Sequence, residues 1–347
     1  MTSRRLSPTA GAVRLHFNEN TAGCSPAVLA ALRAMTREDA AMYPEYERIT
    51  ARCERWFDVA PGWVQLTNGL DEGLQVAALW AARAAPRALA VDAIVIEPAF
   101  EVYRACIEAA GADVIHIDPG SDFAFPIGRV LDAISPNTRL IYLADPNNPT
   151  GLGLPIGTAD VIANAAPHAL VVVDEAYADF SGRTIIGDAL DRHRNLVVGR
   201  TFAKAHGLAG IRIGALVGHP DTLDGLRRLL LPYSVNASAV VSLAAALDDR
   251  AYLDWSVSQS AASRELIYAA AARHDLRYWR SEANFVLVQL GESAAVIAAA
   301  LAARGILIRD KSAAPGCAGC VRITAGVVEH TELAIQELED ILASRAR

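Results

Sequence analysis

The sequence predicts an α/β protein in which helices cover a mostly parallel central sheet, followed by a smaller α+β region. Six short runs rich in valine, isoleucine and leucine occur in the first two thirds of the chain, most of them separated by helical stretches. They span residues 93–96, 113–117, 139–143, 169–173, 195–198 and 213–217. Uninterrupted apolar strands between helices are typical of parallel sheets that are buried on both faces. These runs therefore predict the main sheet of one large domain.

The pattern changes near residue 248, where a long helical stretch begins. Strand-like runs follow at residues 276–279, 285–288, 306–309 and 321–324, with helices at 294–304 and 331–344. Mixed strands and helices of this kind predict a smaller α+β unit. We therefore divide the chain into an N-terminal arm (1–35) that packs with the small domain, a large domain (36–247) and a small C-terminal domain (248–347).

Composition and charge describe a globular chain and argue against some partners. Of the 347 residues, 52% are hydrophobic, the mean hydropathy is +0.23 and the net charge is −7. The sequence has no run of lysine or arginine, so nucleic acid and anionic membranes are not expected partners. The pair Arg4-Arg5 is not followed by the apolar stretch of a secretory signal, and we expect a cytoplasmic protein.

The cysteines do not suggest a metal site. Five are present, and Cys317 and Cys320 form a C-x-x-C motif. Structural zinc normally needs four cysteine or histidine ligands, and the sequence has no second pair at suitable spacing. We interpret both residues as reduced loop cysteines and expect no bound metal.

Polar side chains follow four of the predicted strands at the point where each strand ends. The loops are Glu97-Pro-Ala-Phe100, Asp145-Pro-Asn-Asn148, Asp174-Glu-Ala-Tyr177 and Arg200-Thr-Phe-Ala-Lys204. In open α/β sheets, ligands bind outside the carboxyl ends of the strands. These four loops are therefore the predicted functional site.

Lys204 and Asp174 carry the chemical interpretation of that site. A lysine is most often a solvated surface charge, and an aspartate after a strand is often a helix cap or half of a buried ion pair. Lys204, however, follows a buried strand among small and apolar neighbours, where burial would lower its pKa and make it a nucleophile toward an aldehyde. Asp174 would keep a pyridine nitrogen protonated, so the two together indicate pyridoxal phosphate.

The wider set of motifs resembles the fold-type I pyridoxal-phosphate aminotransferases, and among them the histidinol-phosphate aminotransferases. The similarity runs from residue 15 to residue 326 and includes Asp145-Pro-Asn-Asn-Pro-Thr-Gly151 and the lysine segment 200–212. It implies the PLP-transferase fold of type I, with pyridoxal 5′-phosphate as cofactor. It also implies transfer of an amino group from a small-molecule donor to a 2-oxo acid.

The resemblance implies which residues hold the cofactor phosphate. The backbone N–H groups of Leu70 and Asp71 would bind it at the positive end of a helix dipole. Thr201 and Arg212 would complete this clamp. Tyr43 would reach the phosphate from the partner subunit, which implies a homodimer with sites at its interface.

The resemblance assigns a second set of residues to the cofactor ring. Phe100 would stack on the pyridine, while Asn148 and Tyr177 would hydrogen-bond its 3′ oxygen. Asp174 would pair with the ring nitrogen, and Lys204 would form the Schiff base. The predicted catalytic residues are accordingly Lys204, Asp174 and Tyr177.

A third set implied by the resemblance binds the substrate. Asn20 lies in the segment that resembles the family's N-terminal arm, which folds over the substrate. Arg309 and Arg322 match two arginines that hold the substrate's anionic groups. Arginine suits this task because its planar guanidinium can bind a carboxylate or phosphate through two hydrogen bonds.

Three positions depart from the family's usual pattern. Ala203 stands where a serine commonly donates to the cofactor phosphate, a bond worth roughly 1.5–3 kcal/mol, so we expect weaker retention of the cofactor. Thr21 replaces a frequent proline in the arm. Phe100 replaces a frequent tyrosine and keeps the stacking face without the hydroxyl. These changes bear on the identity of the substrate rather than on the fold.

The predicted reaction moves an amino group between L-histidinol phosphate and 2-oxoglutarate or glutamate, as in histidine biosynthesis. Lys204 would act as general base and acid at the substrate's α carbon. Two alternatives stay open: an aromatic amino-acid aminotransferase of the same family, acting on phenylalanine or tyrosine, and a lyase resembling threonine-phosphate decarboxylase.

Other classes of protein fit the sequence less well. Gly207, Gly210 and Gly214 follow the lysine loop instead of opening a βαβ unit, which argues against a dinucleotide site. The histidines form no triad with a serine in a G-x-S-x-G turn, which argues against a hydrolase. A regulator that borrowed this domain would need a DNA-binding extension. Because the segment that resembles the arm begins at residue 15, we expect no such extension before it.

Overall fold

The structure is a computed structural model, and it describes residues 11–84 and 90–345. The first ten residues, with the pair Arg4-Arg5, lie outside the described residues, as do the last two residues of the predicted small domain. No helix in the described ranges is long and apolar enough to cross a lipid bilayer.

The described residues contain thirteen strands and fourteen α-helices. The strands are β1 (Val13–Arg14), β2 (Val64–Thr67), β3 (Asp92–Ile96), β4 (Asp113–Ile117), β5 (Thr138–Ala144), β6 (Leu170–Asp174), β7 (Leu196–Thr201), β8 (Gly214–Gly218), β9 (Arg277–Tyr278), β10 (Phe285–Gln289), β11 (Ile306–Leu307), β12 (Arg309–Asp310) and β13 (Cys320–Thr324). The helices are α1 (Pro26–Arg33), α2 (Arg37–Ala41), α3 (Glu47–Trp56), α4 (Leu70–Ala84), α5 (Glu101–Ala109), α6 (Ile127–Ala133), α7 (Thr158–Ala165), α8 (Ala178–Ser181), α9 (Asp188–Arg192), α10 (Pro220–Arg227), α11 (Ala237–Asp248), α12 (Arg250–Arg273), α13 (Ala294–Ala303) and α14 (Val328–Arg345).

Within the described residues, seven strands form the central sheet in the order β2-β8-β7-β6-β5-β3-β4. Only β8 runs antiparallel to its neighbours, so the predicted α/β fold with a mostly parallel sheet is confirmed. The six predicted strands correspond to β3–β8. Strand β2 was not predicted, because its four residues mix apolar and polar side chains and its assignment depends on pairing with β8.

Both faces of the central sheet are buried, which explains the uninterrupted apolar runs. In β6, Val171 and Val173 belong to one apolar layer, while Leu170 and Val172 belong to the layer on the opposite face. All four side chains are almost completely buried, as expected for a strand with helices on both sides.

The parallel register of the inner strands sets the position of the functional site. Asp174, the last residue of β6, lies beside Ala144 of β5 and Gly199 of β7. The loops that follow these strands therefore leave the sheet at one edge, as predicted.

The C-terminal part of the chain forms a separate sheet with its own apolar core. This antiparallel sheet has the order β12-β13-β10-β9 within the described residues, and α12, α13 and α14 pack near it. Strand β1 of the arm pairs in parallel with β11. We keep the division into residues 1–35, 36–247 and 248–347 as a proposal, which the pairing of β1 with β11 supports.

Leu15 provides a test of how the arm is held. Its side chain is completely buried in the core with Val286 and Ile323, and its backbone bonds to Leu307 and Thr324. Leu15→Ala should lower the free energy of unfolding by about 2–5 kcal/mol, since it leaves a cavity in a packed core. Urea unfolding followed by circular dichroism measures this change.

Val296→Ala is the matched control, because Val296 lies on α13 of the same unit and is largely exposed. Its effect should stay within about 0.5 kcal/mol. Equal effects of the two substitutions would contradict the packing of the arm described here.

Candidate active site

A cavity of about 350 Å³ lies at the carboxyl edge of the central sheet, between the large sheet, the arm and the small domain's β12 and β13. Eleven of the residues predicted from the sequence line it: Leu70, Asp71, Phe100, Asn148, Asp174, Tyr177, Thr201, Lys204, Arg212, Arg309 and Arg322. The cavity therefore brings together residues from all parts of the chain. Two other predicted residues, Asn20 and Tyr43, do not line it.

Asp174 is buried at the end of β6 and has defined partners for both carboxylate oxygens. The hydroxyl of Tyr103 donates to Oδ2 at 2.6 Å, and the backbone N–H of Ala176 donates to Oδ1 at 2.9 Å. Burial raises the pKa of Asp174 to about 6, although both hydrogen bonds favour the ionised form. A cation beside this carboxylate would be strongly favoured, because the carboxylate is otherwise desolvated.

Tyr103 was not predicted from the sequence as a site residue. It is buried, and its ring stacks on Tyr142 with 4.8 Å between ring centroids. It lies on α5 three residues after Phe100, the residue that precedes the helix, and the two rings meet edge to face with 5.8 Å between centroids. That spacing was the available signal, but the bond to Asp174 depends on where α5 packs against β6.

Lys204 lies in the loop after β7 and faces the cavity. Its ammonium donates to the backbone oxygen of Phe17 in the arm at 3.3 Å and lies 5.8 Å from the centroid of the Tyr177 ring. Burial, followed by the positive charge of Arg322, lowers the pKa of Lys204 from 10.5 to about 8. An appreciable fraction of this amine is therefore unprotonated and nucleophilic near neutral pH.

The beginning of α4 and Arg212 also line the cavity. Leu70 and Asp71 are the first two residues of α4, where backbone N–H groups have no acceptor within the helix. Arg212 donates to Asp71 Oδ2 at 2.9 Å. Gly69 has φ +73°, and a Cβ there would lie 2.4 Å from the Arg212 guanidinium, so only glycine allows this close approach. The arrangement suits an anion such as a phosphate.

The lysine loop contributes the hydroxyl of Thr201 to the cavity, whereas position 203 carries alanine and has no hydroxyl. Thr201 is buried at the end of β7, and its Oγ1 accepts from the backbone N–H of Ala203 at 3.2 Å. Ala203 lines the cavity with a methyl group. The geometry is therefore consistent with the expected loss of one phosphate donor at this position.

Arg322 on β13 is buried and connects three parts of the chain. Its guanidinium donates to Asn148 Oδ1 in the loop after β5 and, at 2.7 Å, to the backbone oxygen of His16 in the arm. It also lies 5.3 Å from the centroid of the Phe285 ring. Burial lowers the pKa of Arg322 to about 10. Its Nε is buried and has no hydrogen-bond partner among the described residues.

The arm lines the cavity with His16, Phe17 and Asn18, and the side chain of Asn20 lies outside it. Asn18 lines the cavity and donates from its amide nitrogen to the hydroxyl of Tyr177 at 3.0 Å. The amide nitrogen of Asn20 instead bonds to the backbone oxygen of Ala205 at 3.1 Å and to Ser256 Oγ at 2.8 Å. The side chain of Asn20 thus holds the arm in place, and the geometry favours Asn18 as the arm residue that contacts a ligand.

Two further cavity residues, Glu101 and Lys311, were not predicted from the sequence. The ammonium of Lys311 donates to Glu101 Oε1 at 3.1 Å, and Arg309 lies 3.9 Å from the same oxygen. Lys311 lies one residue beyond β12, and Glu101 begins α5. Neither residue stood in a motif, so the sequence offered no direct signal for the pair.

Tyr43 lies on the surface, and its side chain is 75% exposed. Its ring stacks on Tyr233 with 4.2 Å between centroids, and Tyr233 is also exposed. Met42 and Leu231 add further exposed apolar surface. We call Met42, Tyr43, Leu231 and Tyr233 the tyrosine patch.

Cys317 and Cys320 are buried thiols without a disulfide. Burial raises the pKa of Cys317 to about 12 and that of Cys320 to about 11, so neither is a ready nucleophile. Across residues 11–84 and 90–345, no cluster of three or more His, Cys, Asp or Glu side chains is arranged to hold a metal ion.

Comparison with known proteins identifies relatives along nearly the whole chain. Histidinol-phosphate aminotransferase 1 of Thiobacillus denitrificans is 35% identical over 338 residues, which cover 96% of this chain and 86% of the relative. Histidinol-phosphate aminotransferase 2 of Ralstonia nicotianae is 35% identical over 343 residues, which cover 95% and 89%.

A solved structure shows the same architecture. The histidinol-phosphate aminotransferase of Sinorhizobium meliloti, determined in complex with pyridoxal-5′-phosphate, superposes with a TM-score of 0.83 at 25% identity, and the match covers 95% of this chain and 91% of that one. Residues 11–338 also match the family description "Aminotransferase class I and II". The family predicted from the sequence is thereby confirmed, and the chain belongs to the class I and II aminotransferases.

Proposed function

We propose that the protein is a pyridoxal-phosphate-dependent aminotransferase that moves an amino group between L-histidinol phosphate and 2-oxoglutarate or glutamate. The observation that carries the proposal is the single cavity in which Lys204, Asp174 and the buried Arg322 meet. The named relatives support the choice of histidinol phosphate. An anionic donor also suits a cavity with several arginines.

The residues present fit pyridoxal phosphate at both ends. The N-terminus of α4, Arg212 and Thr201 would hold the phosphate, since all three line the cavity and the lack of a Cβ at Gly69 lets the Arg212 guanidinium approach the start of α4. Asp174 is a buried carboxylate that has no cationic hydrogen-bond partner among residues 11–84 and 90–345, and a protonated pyridine nitrogen would supply one. Phe100 lines the same space and offers an aromatic face, while Asn148 and Tyr177 offer polar groups.

The chemistry divides between the cofactor and the protein. When bound, pyridoxal phosphate supplies an electron sink for the negative charge that develops at the substrate's α carbon. Lys204 would hold the cofactor's aldehyde and, once released, take the proton from the α carbon and return it, because a pKa of about 8 suits both steps near neutral pH. Asp174, held by Tyr103 and Ala176, would keep the ring nitrogen protonated.

Arg322 and Arg309 would bind the anionic groups of the substrates. Arg322 is held in one orientation by Asn148 and His16, so little conformational entropy is lost when an anion binds. Arg309 is more accessible and pairs only loosely with Glu101. Asn18 would border the substrate through its contact with Tyr177.

We also propose that the protein is a cytoplasmic homodimer. An exposed apolar patch commonly marks an interface, and the tyrosine patch has this character. Tyr43 lies outside the cavity of its own subunit, as expected if it serves the partner's cofactor phosphate. All five cysteines are unpaired, which suits a reducing compartment.

A panel of half-reactions tests the substrate. Cofactor-loaded enzyme is mixed in single turnovers with L-histidinol phosphate, glutamate, phenylalanine, tyrosine and threonine phosphate, and the visible absorbance of the cofactor is followed. Histidinol phosphate and glutamate should react faster than phenylalanine and tyrosine, which lack a distal anion, and threonine phosphate, which has one, should lose no CO2. Phenylalanine reacting faster than histidinol phosphate by orders of magnitude, or release of CO2 from threonine phosphate, would overturn the proposal.

The pKa of Lys204 supplies a second prediction. In cofactor-free protein, acylation of Lys204 should rise with pH and level off above a midpoint of about 8, well below the ordinary 10.5, because burial and Arg322 disfavour the ammonium. Mass spectrometry of the Lys204 peptide after competitive acylation measures the midpoint. Arg322→Gln should move the midpoint upward, since it removes a neighbouring positive charge. A midpoint near 10.5 in the wild type would refute the lowered pKa of Lys204.

Mixed dimers test whether Tyr43 acts across the interface. Tyr43→Ala and Lys204→Ala should each abolish or weaken the sites of their own homodimers. A dimer with one subunit of each kind should contain one site that has both Lys204 and the partner's tyrosine, with wild-type cofactor affinity. Titration of mixed dimers with pyridoxal phosphate measures this. If no high-affinity site returns on mixing, Tyr43 does not act in this way.

A further inference from the structure

The lysines of this chain have an unusual distribution. Of its 32 lysine and arginine residues, only two are lysine, Lys204 and Lys311. Both line the same cavity, whereas arginine serves at every other basic position. Lysine differs from arginine in its compact, strongly hydrated charge on a flexible stem. A second lysine at the same site therefore calls for a role of its own.

Lys311 is held firmly by the small domain. Its side chain is largely buried, its backbone N–H donates to Cys320 O at 2.9 Å, and its carbonyl accepts from the N–H of Ala314 at 2.9 Å. The ammonium reaches across to Glu101 of α5 in the large domain. A buried ammonium is stabilised by a nearby anion, and Glu101 supplies one for Lys311.

The local charges leave an excess of positive charge. Arg309, Lys311 and Arg322 line this side of the cavity, and Glu101 is the carboxylate that contacts Arg309 and Lys311. The side chain of Glu101 is 72% exposed, whereas that of Lys311 is 9% exposed. Glu101 can therefore turn into water at small cost, while Lys311 cannot leave the cavity.

We propose that Lys311 is a specificity-determining residue that binds the distal anion of the amino donor, and that Glu101 occupies this position when no such donor is bound. The inference rests on the proposed function, because it concerns the substrate of the same site. A donor with a distal phosphate or carboxylate displaces Glu101 and pairs with Lys311. A donor with a neutral side chain leaves the Glu101–Lys311 pair intact.

Two substitutions with opposite expected effects test this exchange. Lys311→Met should raise the KM for L-histidinol phosphate by about 10- to 100-fold, the effect of losing one charge-assisted contact, with little change for L-histidinol, which lacks the phosphate. Glu101→Gln should lower the KM for L-histidinol phosphate, because the internal competitor loses its charge. Lys311→Arg should restore part of the binding. Single-turnover kinetics of the cofactor-loaded dimer measure each value.

Binding supplies a readout that does not depend on turnover. Calorimetric titration of the Lys204→Ala protein with the same two ligands should show the same opposite shifts from Lys311→Met and Glu101→Gln. The exposed pair Arg104–Glu108 on α5 is the matched control, and Arg104→Met should change neither ligand's binding. A structural role of Lys311 would weaken both ligands alike, and that result would overturn the inference.

Failure of the proposed function gives a different result. If the wild-type enzyme does not use L-histidinol phosphate, the proposed function is wrong. The role of Lys311 is then decided by comparing the KM values of glutamate and phenylalanine in the same variants. Loss confined to glutamate supports the inference. Equal loss with glutamate and phenylalanine refutes it.

Discussion

The guanidinium of Arg322 is the contact on which the shape of the cavity depends. Arg322 belongs to the small domain's sheet, yet it bonds to Asn148 after β5 and to the backbone of His16 in the arm, residues 174 and 306 positions away. A buried guanidinium is costly unless its N–H groups find acceptors, so these acceptors hold three parts of the chain around one charge. The same charge contributes to lowering the pKa of Lys204 and of His16. Arg322 therefore joins these three segments and adds to the larger effect of burial in lowering the pKa of Lys204.

The part of the cavity formed by the start of α4 and Arg212 depends on close approaches that only glycine allows. Leu70 begins α4 beside Gly214 of β8, where a Cβ would lie 2.7 Å from the Leu70 nitrogen. Gly69 makes the equivalent room for Arg212. These contacts bring a helix N-terminus and a guanidinium to one place, which an anionic group can then occupy. Ala203 lines the same cavity with a methyl group, which offers no hydrogen-bond donor.

Local sequence patterns predicted the strands and the loops that follow them. Apolar runs such as residues 170–173 identify strands buried on both faces, and the parallel order places Asp174 and the lysine loop at one edge. The strands and contacts that the sequence did not predict depend on distant packing. The two-residue strand β1 and the four-residue strand β2 are too short to show a period, and each depends on a distant partner strand. The sequence could not show that Asn18, and not Asn20, lines the cavity, because the fold of the arm decides which amide faces it.

The sequence by itself determined the family, the cofactor chemistry and most residues of the site, because strand periods and loop motifs are properties of neighbouring residues. Only the tertiary structure decided which side chains meet. Tyr103 reaches Asp174 across 71 positions, and Lys311 reaches Glu101 across 210. The packing of α5 against the sheet determines the first contact, and the position of the small domain against α5 determines the second. No local sequence pattern predicts either contact, because both contacts depend on how distant parts of the chain pack against each other.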